Sequence, residues 1–386
     1  AVLLSGGVDS SVSLRLLLEQ GKKPVPFYLK IWLEDELAHL NECPWEEDVD
    51  YASKVCDQAG LKLETLDFQR DYWDEVVSYT ISEAKRGRTP NPDVMCNSRV
   101  KFGVFYDRIG KYFNNIASGH YAQRDDVAPQ GNVEEDEDSV ILRRSPDPVK
   151  DQTYFLANLR KDQLRNIVFP IGAYTKEQVR ALAHQFDLPT QSRKDSQGIC
   201  FLGKLRFDDF LEHYLGSMPG PFVEYESGIK LGTHRGFWFY TLGQRKGVGL
   251  SGGPWFVVSK NVDENIVYLS REYNEKPRDA FQVESINWLG PISMPKPGLK
   301  LDLDVKVRHS PELTPCELIF DPMSISKGFV KLAQNAKKGL APGQFAVFYL
   351  GDRCVGSGVI CSDFGLSMAP REITGKWAKN LQAHHK

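Results

Sequence analysis

Short apolar runs alternate with helical stretches through the first 200 residues, and this alternation restricts the fold more than any other feature of the chain. Ala1–Leu4 reads as a strand already under way. A Ser/Gly turn follows, then a helix carrying Val12, Leu14 and Leu16 to Leu18, stopped by Gly21. Val25–Trp32 is the next strand, and 46–59 a helix closed by Gly60. Leu61–Phe68 forms a third strand, 71–85 an acid-capped helix, and Asn115–Ser118 a short buried strand. A strand that repeatedly feeds a helix needs a parallel sheet with helices on both faces. The expected class is therefore α/β with a doubly wound parallel sheet, which binds ligands where loops leave the carboxyl ends of its strands.

Past residue 170 the pattern changes. Thr175-Lys-Glu-Gln178 matches a capping box and opens a helix through Phe186, and another helix covers 207–214. Pro219-Gly-Pro221 marks a boundary. Beyond it, Trp255–Val258, Ile266–Leu269 and Ala346–Leu350 are short strand-like runs among Gly, Pro and aromatics, the signature of β domains. A second break at Lys276-Pro277 separates a small central domain from a C-terminal β-barrel. The expected domains are residues 1–205, 206–275 and 276–370, with a patternless tail 371–386 that reads as disordered.

At 386 residues and 41% hydrophobic content, such a chain can bury two or three cores. No run reaches the ~18 apolar residues that span a bilayer, so no membrane association is expected. No signal peptide is visible, which says little about targeting. The net charge of −3 does not advertise a nucleic-acid binder, but its distribution matters more. Seven basic residues lie between Lys85 and Lys111 against Asp93 and Asp107. They form either an RNA footprint or an exposed helix face. The acidic block Glu134–Asp138 reads as a solvated loop. Seven scattered cysteines without a CxxC pair argue for free thiols in a reducing compartment and against a protein-held metal.

Ser5-Gly-Gly-Val-Asp-Ser10 joins the first strand to the first helix. Two glycines let the backbone turn tightly and aim N–H groups at an anion, the helix N-terminus adds its positive end, and the Ser5, Ser10 and Ser11 hydroxyls can donate further bonds. No Lys follows, so this is not the Walker loop. A simple Ser/Gly helix cap is the bland alternative. In Thr89-Pro-Asn-Pro-Asp-Val-Met-Cys96, two prolines impose an extended loop and set Cys96 near a helix start, with Arg99 and Lys101 nearby to favour its thiolate. Asp93 could handle a proton. Cys200 follows Arg193, Lys194 and the flexible Gln197-Gly198 pair. Two thiols near an anion-binding loop suit sulfur relay.

The loop Ser5–Ser10 resembles the SGGxDS loop of pyrophosphatase-type ATP-binding (PP-loop) proteins, which cleave ATP between the α and β phosphates. With Gly87–Asp93, Gly119-His-Tyr121, Lys150-Asp-Gln152, Gly198-Ile-Cys200, Thr241–Gly247 and Pro342-Gly-Gln344, the chain resembles the tRNA-specific 2-thiouridylases over almost its whole length. The resemblance implies an adenine-nucleotide α-hydrolase-like PP-loop domain. It places Leu3, Leu4, Ser5, Gly6, Gly7, Val8, Asp9, Ser10, Leu29 and Gly119 against ATP, used with Mg2+. Asn91, Pro92 and Asp93 would face the target base, with Cys96 as nucleophile and Cys200 as persulfide carrier loaded by an external sulfur-donor protein. His120, Lys150, Asp151, Gln152, Arg308, His309 and Gln344 would contact tRNA. Leu29 stands where Met is expected and His309 where Tyr is expected.

The implied reaction adenylates O2 of the wobble uridine and replaces it by sulfur from a cysteine persulfide, with a Cys96–Cys200 disulfide as by-product. Alternatives are another PP-loop ligase, such as an amidating synthetase, or a non-catalytic RNA-binding protein. On their own, His120 reads as a polar loop residue and Gln244-Arg-Lys246 as a hairpin turn or a phosphate clamp. A monomer is expected, in bacterial cytoplasm or, for a eukaryotic source, a mitochondrial or plastid matrix.

Overall fold

The computed structural model describes residues 1–31, 45–126, 140–195, 206–272, 279–290, 295–333 and 340–363. The acidic block 134–138, Cys43, Cys200 with its Gly198 turn, the break at 276–277 and the tail 371–386 lie outside these residues.

Strands β1 (Val2–Leu3), β2 (Pro26–Lys30), β3 (Glu64–Asp67) and β4 (Ile116–Ala117) coincide with the expected runs, each trimmed at its ends. A hairpin of β5 (Ala122–Asp126) and β6 (Val140–Arg144) precedes β7 (Ile167–Val168). The first sheet runs β3-β2-β1-β4-β7 with every pair parallel. Alternation along β1 puts Val2 and Leu4 on one face, against Leu14, Ala52 and Val55. Leu3 faces the other side, in a core shared with Phe27, Phe105 and Cys96. Each such buried aliphatic or aromatic side chain contributes about 1.5–3 kcal/mol, so this two-sided pattern fixes β1 at the centre.

Helix Val8–Glu19 leaves β1 directly. Val8, Val12 and Leu16, spaced four apart on one stripe, pack on Val179 and Ala183 of helix Lys176–Gln185. That helix opens with the expected capping box: Thr175 accepts from Gln178 N–H, and the Gln178 side chain accepts from Thr175 N–H. Two helical runs depart from the sequence reading. Gln69–Tyr72 passes through a π-helical turn, Trp73–Val77, into Ser78–Lys85. Pro92–Met95 passes through Cys96–Val104, also π-helical, into Phe105–Arg108. Such wide turns recur at functional sites.

The second sheet holds β8 (Gly220–Glu224), β9 (Lys230–His234), β10 (Phe256–Asn261) and β11 (Ile266–Ser270) in the order β10-β11-β8-β9. Its first strand begins inside the Pro219-Gly-Pro221 segment, read above as a boundary. The third sheet contains β12 (Ala280–Trp288), β13 (Lys300–Lys306), β14 (Thr314–Asp321), β15 (Ser324–Leu332), β16 (Phe345–Leu350) and β17 (Arg353–Asp363). These run β12-β15-β14-β13-β16-β17, and β12 pairs with β17 to close a six-stranded antiparallel barrel. Phe281, Leu318, Phe320, Val330 and Phe348 fill it. The β5–β6 hairpin extends this third sheet and not the first, through Arg143↔Arg353 and Leu142↔Cys354. The half of the chain that carries the Ser5–Ser10 loop is thus stitched by backbone bonds to the barrel.

Candidate active site

The Ser5–Ser10 loop sits at the carboxyl end of β1, the central strand, where a doubly wound sheet places its ligands. Gly6 takes φ +74°, and a Cβ there would lie 2.2 Å from the Asp48 carbonyl oxygen. Only glycine fits on both counts. Arg193 ties this turn down, donating to Gly6 O at 2.7 Å and pairing with the Asp48 carboxylate. Gly7, extended at φ −82° and ψ 161°, precedes the helix without a side-chain cap on its first N–H groups. The Ser10 and Ser11 hydroxyls, expected to meet an anion, instead donate to Gly7 O at 3.1 and 2.8 Å. Ser10 Oγ also receives Ser5 N–H at 3.2 Å. These serines hold the loop's shape, which leaves backbone N–H groups of the uncapped helix start and the exposed Ser5 as the donors available to an anion.

Asp9 carries the charge beside the loop. Its Oδ1 accepts from the Tyr121 hydroxyl at 2.7 Å and from Lys176 Nζ at 2.8 Å, and its Oδ2 lies 3.0 Å from the same ammonium. Lys176 also reaches Asp195 Oδ1 at 2.9 Å, while Lys150 bonds Asp195 Oδ2 at 2.7 Å and Arg180 adds a third cation. Burial alone would raise the Asp195 carboxyl, but hydrogen bonds from Lys150 and Lys176 reverse this and hold it far below its ordinary value. Burial and the adjacent Asp9 push the Tyr121 hydroxyl up, so it stays a proton donor to Asp9. Gly119 packs so tightly under the loop that a Cβ would stand 2.7 Å from Ser10 N and 2.9 Å from the Asp9 carbonyl carbon. Leu29 lies on β2, half-buried against the main core.

The Asn91–Asp93 loop is docked on the barrel. Thr89 N–H donates to Pro342 O at 2.7 Å, and the Gln344 amide donates to the Thr89 and Pro90 carbonyls at 3.2 and 2.9 Å. Asn91 donates to Gln344 Oε1 at 3.2 Å and caps the following helix by accepting Val94 N–H at 3.3 Å. Pro92 takes the first helical position, where its missing N–H costs nothing. Asp93 is half-buried, and Cys96 begins the π-helical turn, 1% exposed. Gln344 thus spends its amide inside the protein, holding the segment that leads to Cys96.

Several residues expected at a tRNA surface are placed differently. His120 is buried between the Phe102 and Phe169 rings, with Nδ1 2.8 Å from Ser118 Oγ, and burial, helped by Lys101, holds its imidazole neutral. Asp151 is fully buried, bonded by Lys306, Arg144 and Thr153. Arg308 and His309 are exposed. Much of the basic segment is paired with carboxylates outside it: Arg86 and Arg88 pair with Glu83, Arg88 also with Glu284, Arg99 with Glu75 and Arg108 with Asp71. The sequence reading missed Lys176, Asp195, Arg180 and Arg193 as site residues. A lysine directly after the Thr175 cap was the one available signal.

This architecture has recognisable relatives. Residues 1–204 match the family described as "tRNA methyl transferase HUP domain", 208–271 its PRC-barrel domain and 278–360 an aminomethyltransferase beta-barrel domain. A tRNA-specific 2-thiouridylase of Bacteroides thetaiotaomicron is 44% identical over 93% of this chain and 99% of its own length. One from Bacteroides fragilis is 43% identical over the same shares, and one from Parabacteroides distasonis is 42% identical over 94% of this chain and 99% of its own. Identity this high over more than nine-tenths of the chain, together with the family match over residues 1–204, makes the chain a member of the tRNA-specific 2-thiouridylase family.

Proposed function

We propose that this chain replaces O2 of the wobble uridine of tRNA by sulfur, at the expense of ATP. The observation that carries the reading is the juxtaposition at the head of β1: a glycine turn presenting backbone N–H groups beside a carboxylate, Asp9, already gripped by Lys176 and Tyr121. Such a turn suits the β and γ phosphates. Asp9 offers the hard oxygen ligand that magnesium prefers, and magnesium bound with ATP would supply further charge compensation.

In the proposed sequence, uridine O2 attacks the α phosphorus of ATP. The α–β bond breaks, pyrophosphate leaves, and the adenylated base becomes electrophilic at C2. Asp93 handles the proton at the base. Cys200 carries a persulfide loaded by a sulfur-donor protein. Its terminal sulfur attacks C2 directly, or Cys96 thiolate attacks Cys200 Sγ and releases hydrosulfide that does so. On either route the C2–O bond breaks, AMP leaves, the Cys200 S–S bond is cleaved by Cys96, and a Cys96–Cys200 disulfide remains for an external reductant. No disulfide joins the described cysteines 56, 96, 316, 354 and 361, and the relay needs thiols that start reduced. The uridine must leave its stack, at a few kcal/mol, and distributed contacts on the barrel would compensate. No described helix is long and apolar enough to cross a membrane.

Cys96→Ser and Cys200→Ser variants, assayed with radiolabelled sulfur and nucleoside mass spectrometry of tRNA, test the relay. Both are expected to lose 2-thiouridine while retaining tRNA-dependent pyrophosphate release. Wild-type thiolation by either variant overturns the relay.

A further inference from the structure

Lys150, Asp151 and Gln152 send their side chains in three directions, and two of the three routes converge on one carboxylate. Lys150 Nζ bonds Asp195 at 2.7 Å, Asp195 bonds Lys176 at 2.9 Å, and Lys176 bonds Asp9. Gln152 Oε1 accepts Tyr121 N–H at 2.9 Å, Gln152 N–H donates back to Tyr121 O at 2.9 Å, and the Tyr121 hydroxyl bonds Asp9. Both chains of contact end on the residue beside the phosphate turn.

The third route leads to the barrel. Lys306, the last residue of β13, places its ammonium 2.8 Å from Asp151 Oδ2, and both side chains are 0% exposed. Arg144 and Thr153 complete the carboxylate's partners. Three residues past Lys306, His309 Nε2 lies 3.0 Å from the Asp151 carbonyl oxygen, and since a carbonyl only accepts, that nitrogen carries the proton. The His309 ring also packs on Phe155 at 4.8 Å. The barrel segment 306–309 therefore grips Asp151 by side chain and backbone, and its outer residues Arg308 and His309 are exposed. Burying an ion pair at a domain junction contributes little net stability compared with apolar packing, but once made it tolerates little displacement.

We propose that Lys306 and His309 are positioning residues for the ATP site, acting through the tripeptide 150–152, so that RNA seated on Arg308 and His309 tightens ATP binding at Asp9. The inference rests on the tRNA-thiolation reading and adds a direction to it: the barrel is coupled to the nucleotide loop. Linkage makes the effect reciprocal, so ATP tightens RNA by the same factor.

The test uses the full chain with α,β-methylene-ATP as probe, titrated with and without saturating unmodified tRNA. In the wild type, tRNA is expected to lower the probe's Kd at least about fivefold, the lower range of known couplings. Lys306→Met, which leaves the buried carboxylate to Arg144 and Thr153, is expected to bring that factor below about twofold. Because that variant can misfold, Asp151→Asn, nearly isosteric, and the surface variant His309→Ala are measured beside it. A generally weakened structure would lower the melting midpoint without moving the ratio of the two Kd values. A wild-type ratio of one, or an unchanged ratio in folded Asp151→Asn and His309→Ala, overturns the coupling alone. A wild type that binds neither probe nor tRNA overturns the functional reading and the coupling with it.

Discussion

Gly119→Ala is the smallest change that should damage the proposed ATP site without removing a polar group. The added methyl would sit 2.7 Å from Ser10 N and 2.9 Å from the Asp9 carbonyl carbon, both in the first turn of the loop helix. Ordinary contact begins near 3.4 Å. The backbone must therefore retreat by about 0.7 Å, and neither atom belongs to a side chain that could rotate away. On the far side, Val8 and Val12 already pack on Val179, so the helix start has no slack. Overpacking of this kind costs about 1–3 kcal/mol in stability. The larger effect falls on geometry, because the N–H groups aimed at the phosphates move with the turn, and misplacement approaching 1 Å costs up to about 100-fold. We expect kcat/KM for tRNA-dependent pyrophosphate release to fall about 10- to 100-fold, with a folded protein by circular dichroism and a melting midpoint lowered by a few degrees. Activity within twofold of wild type would show that the turn does not bind the triphosphate through its backbone.

Three further outcomes follow from the same contacts. Lys176→Met removes the ammonium from Asp9 while Lys150 and Arg180 still hold Asp195, so the KM for ATP should rise about tenfold with a stability change under about 1 kcal/mol, measured by steady-state kinetics and denaturant melts. Gln344→Ala deletes the donors to the Thr89 and Pro90 carbonyls and should cost about 1–2 kcal/mol. It should also slow thiolation more than pyrophosphate release, since the segment it frees leads to Cys96; equal slowing of both would count against it. His234 accepts Gly236 N–H at Nδ1 and donates from Nε2 to Asn265 O, and burial lowers it to about 4. Its folded value lies below the unfolded ~6.5, so the unfolded chain binds more protons between those limits, and stability present above pH ~6.5 is lost as pH falls toward 4, by about 2 kcal/mol. Buried His120 acts in the same direction. Urea melts at pH 7.5 and 4.5 should differ less in His234→Gln than in wild type, and an unchanged difference would exclude this assignment.

Local chemistry explains which parts of this protein could be read in advance. The Asn91 cap with Pro92 at the first helical position and the Thr175–Gln178 box each depend on residues within four positions of one another, so their spacing alone encodes them. The wobble-base and tRNA assignments came from resemblance, and the structure recasts part of that set as internal fasteners: Gln344, Asp151 and His120 spend their polar atoms on the protein itself. Asp9 meets Tyr121 and Lys176 across 112 and 167 residues, and no period or cap signals such a meeting. The β5–β6 hairpin was invisible for a related reason. Its polar Gln123-Arg-Asp-Asp126 run looks like a loop, and it is held as a strand because β6, itself paired with β17 of the barrel, supplies its backbone partners and Arg143 bridges Asp125 and Asp352. That same hairpin leads through Arg144 into residues 150–152, so one stretch of chain both docks the barrel and reaches the nucleotide turn. On the proposed function, a chain that acts on a large RNA and a small nucleotide at once has reason to route its connection this way: a shift of the docking strand is passed on to the residues that hold Asp9.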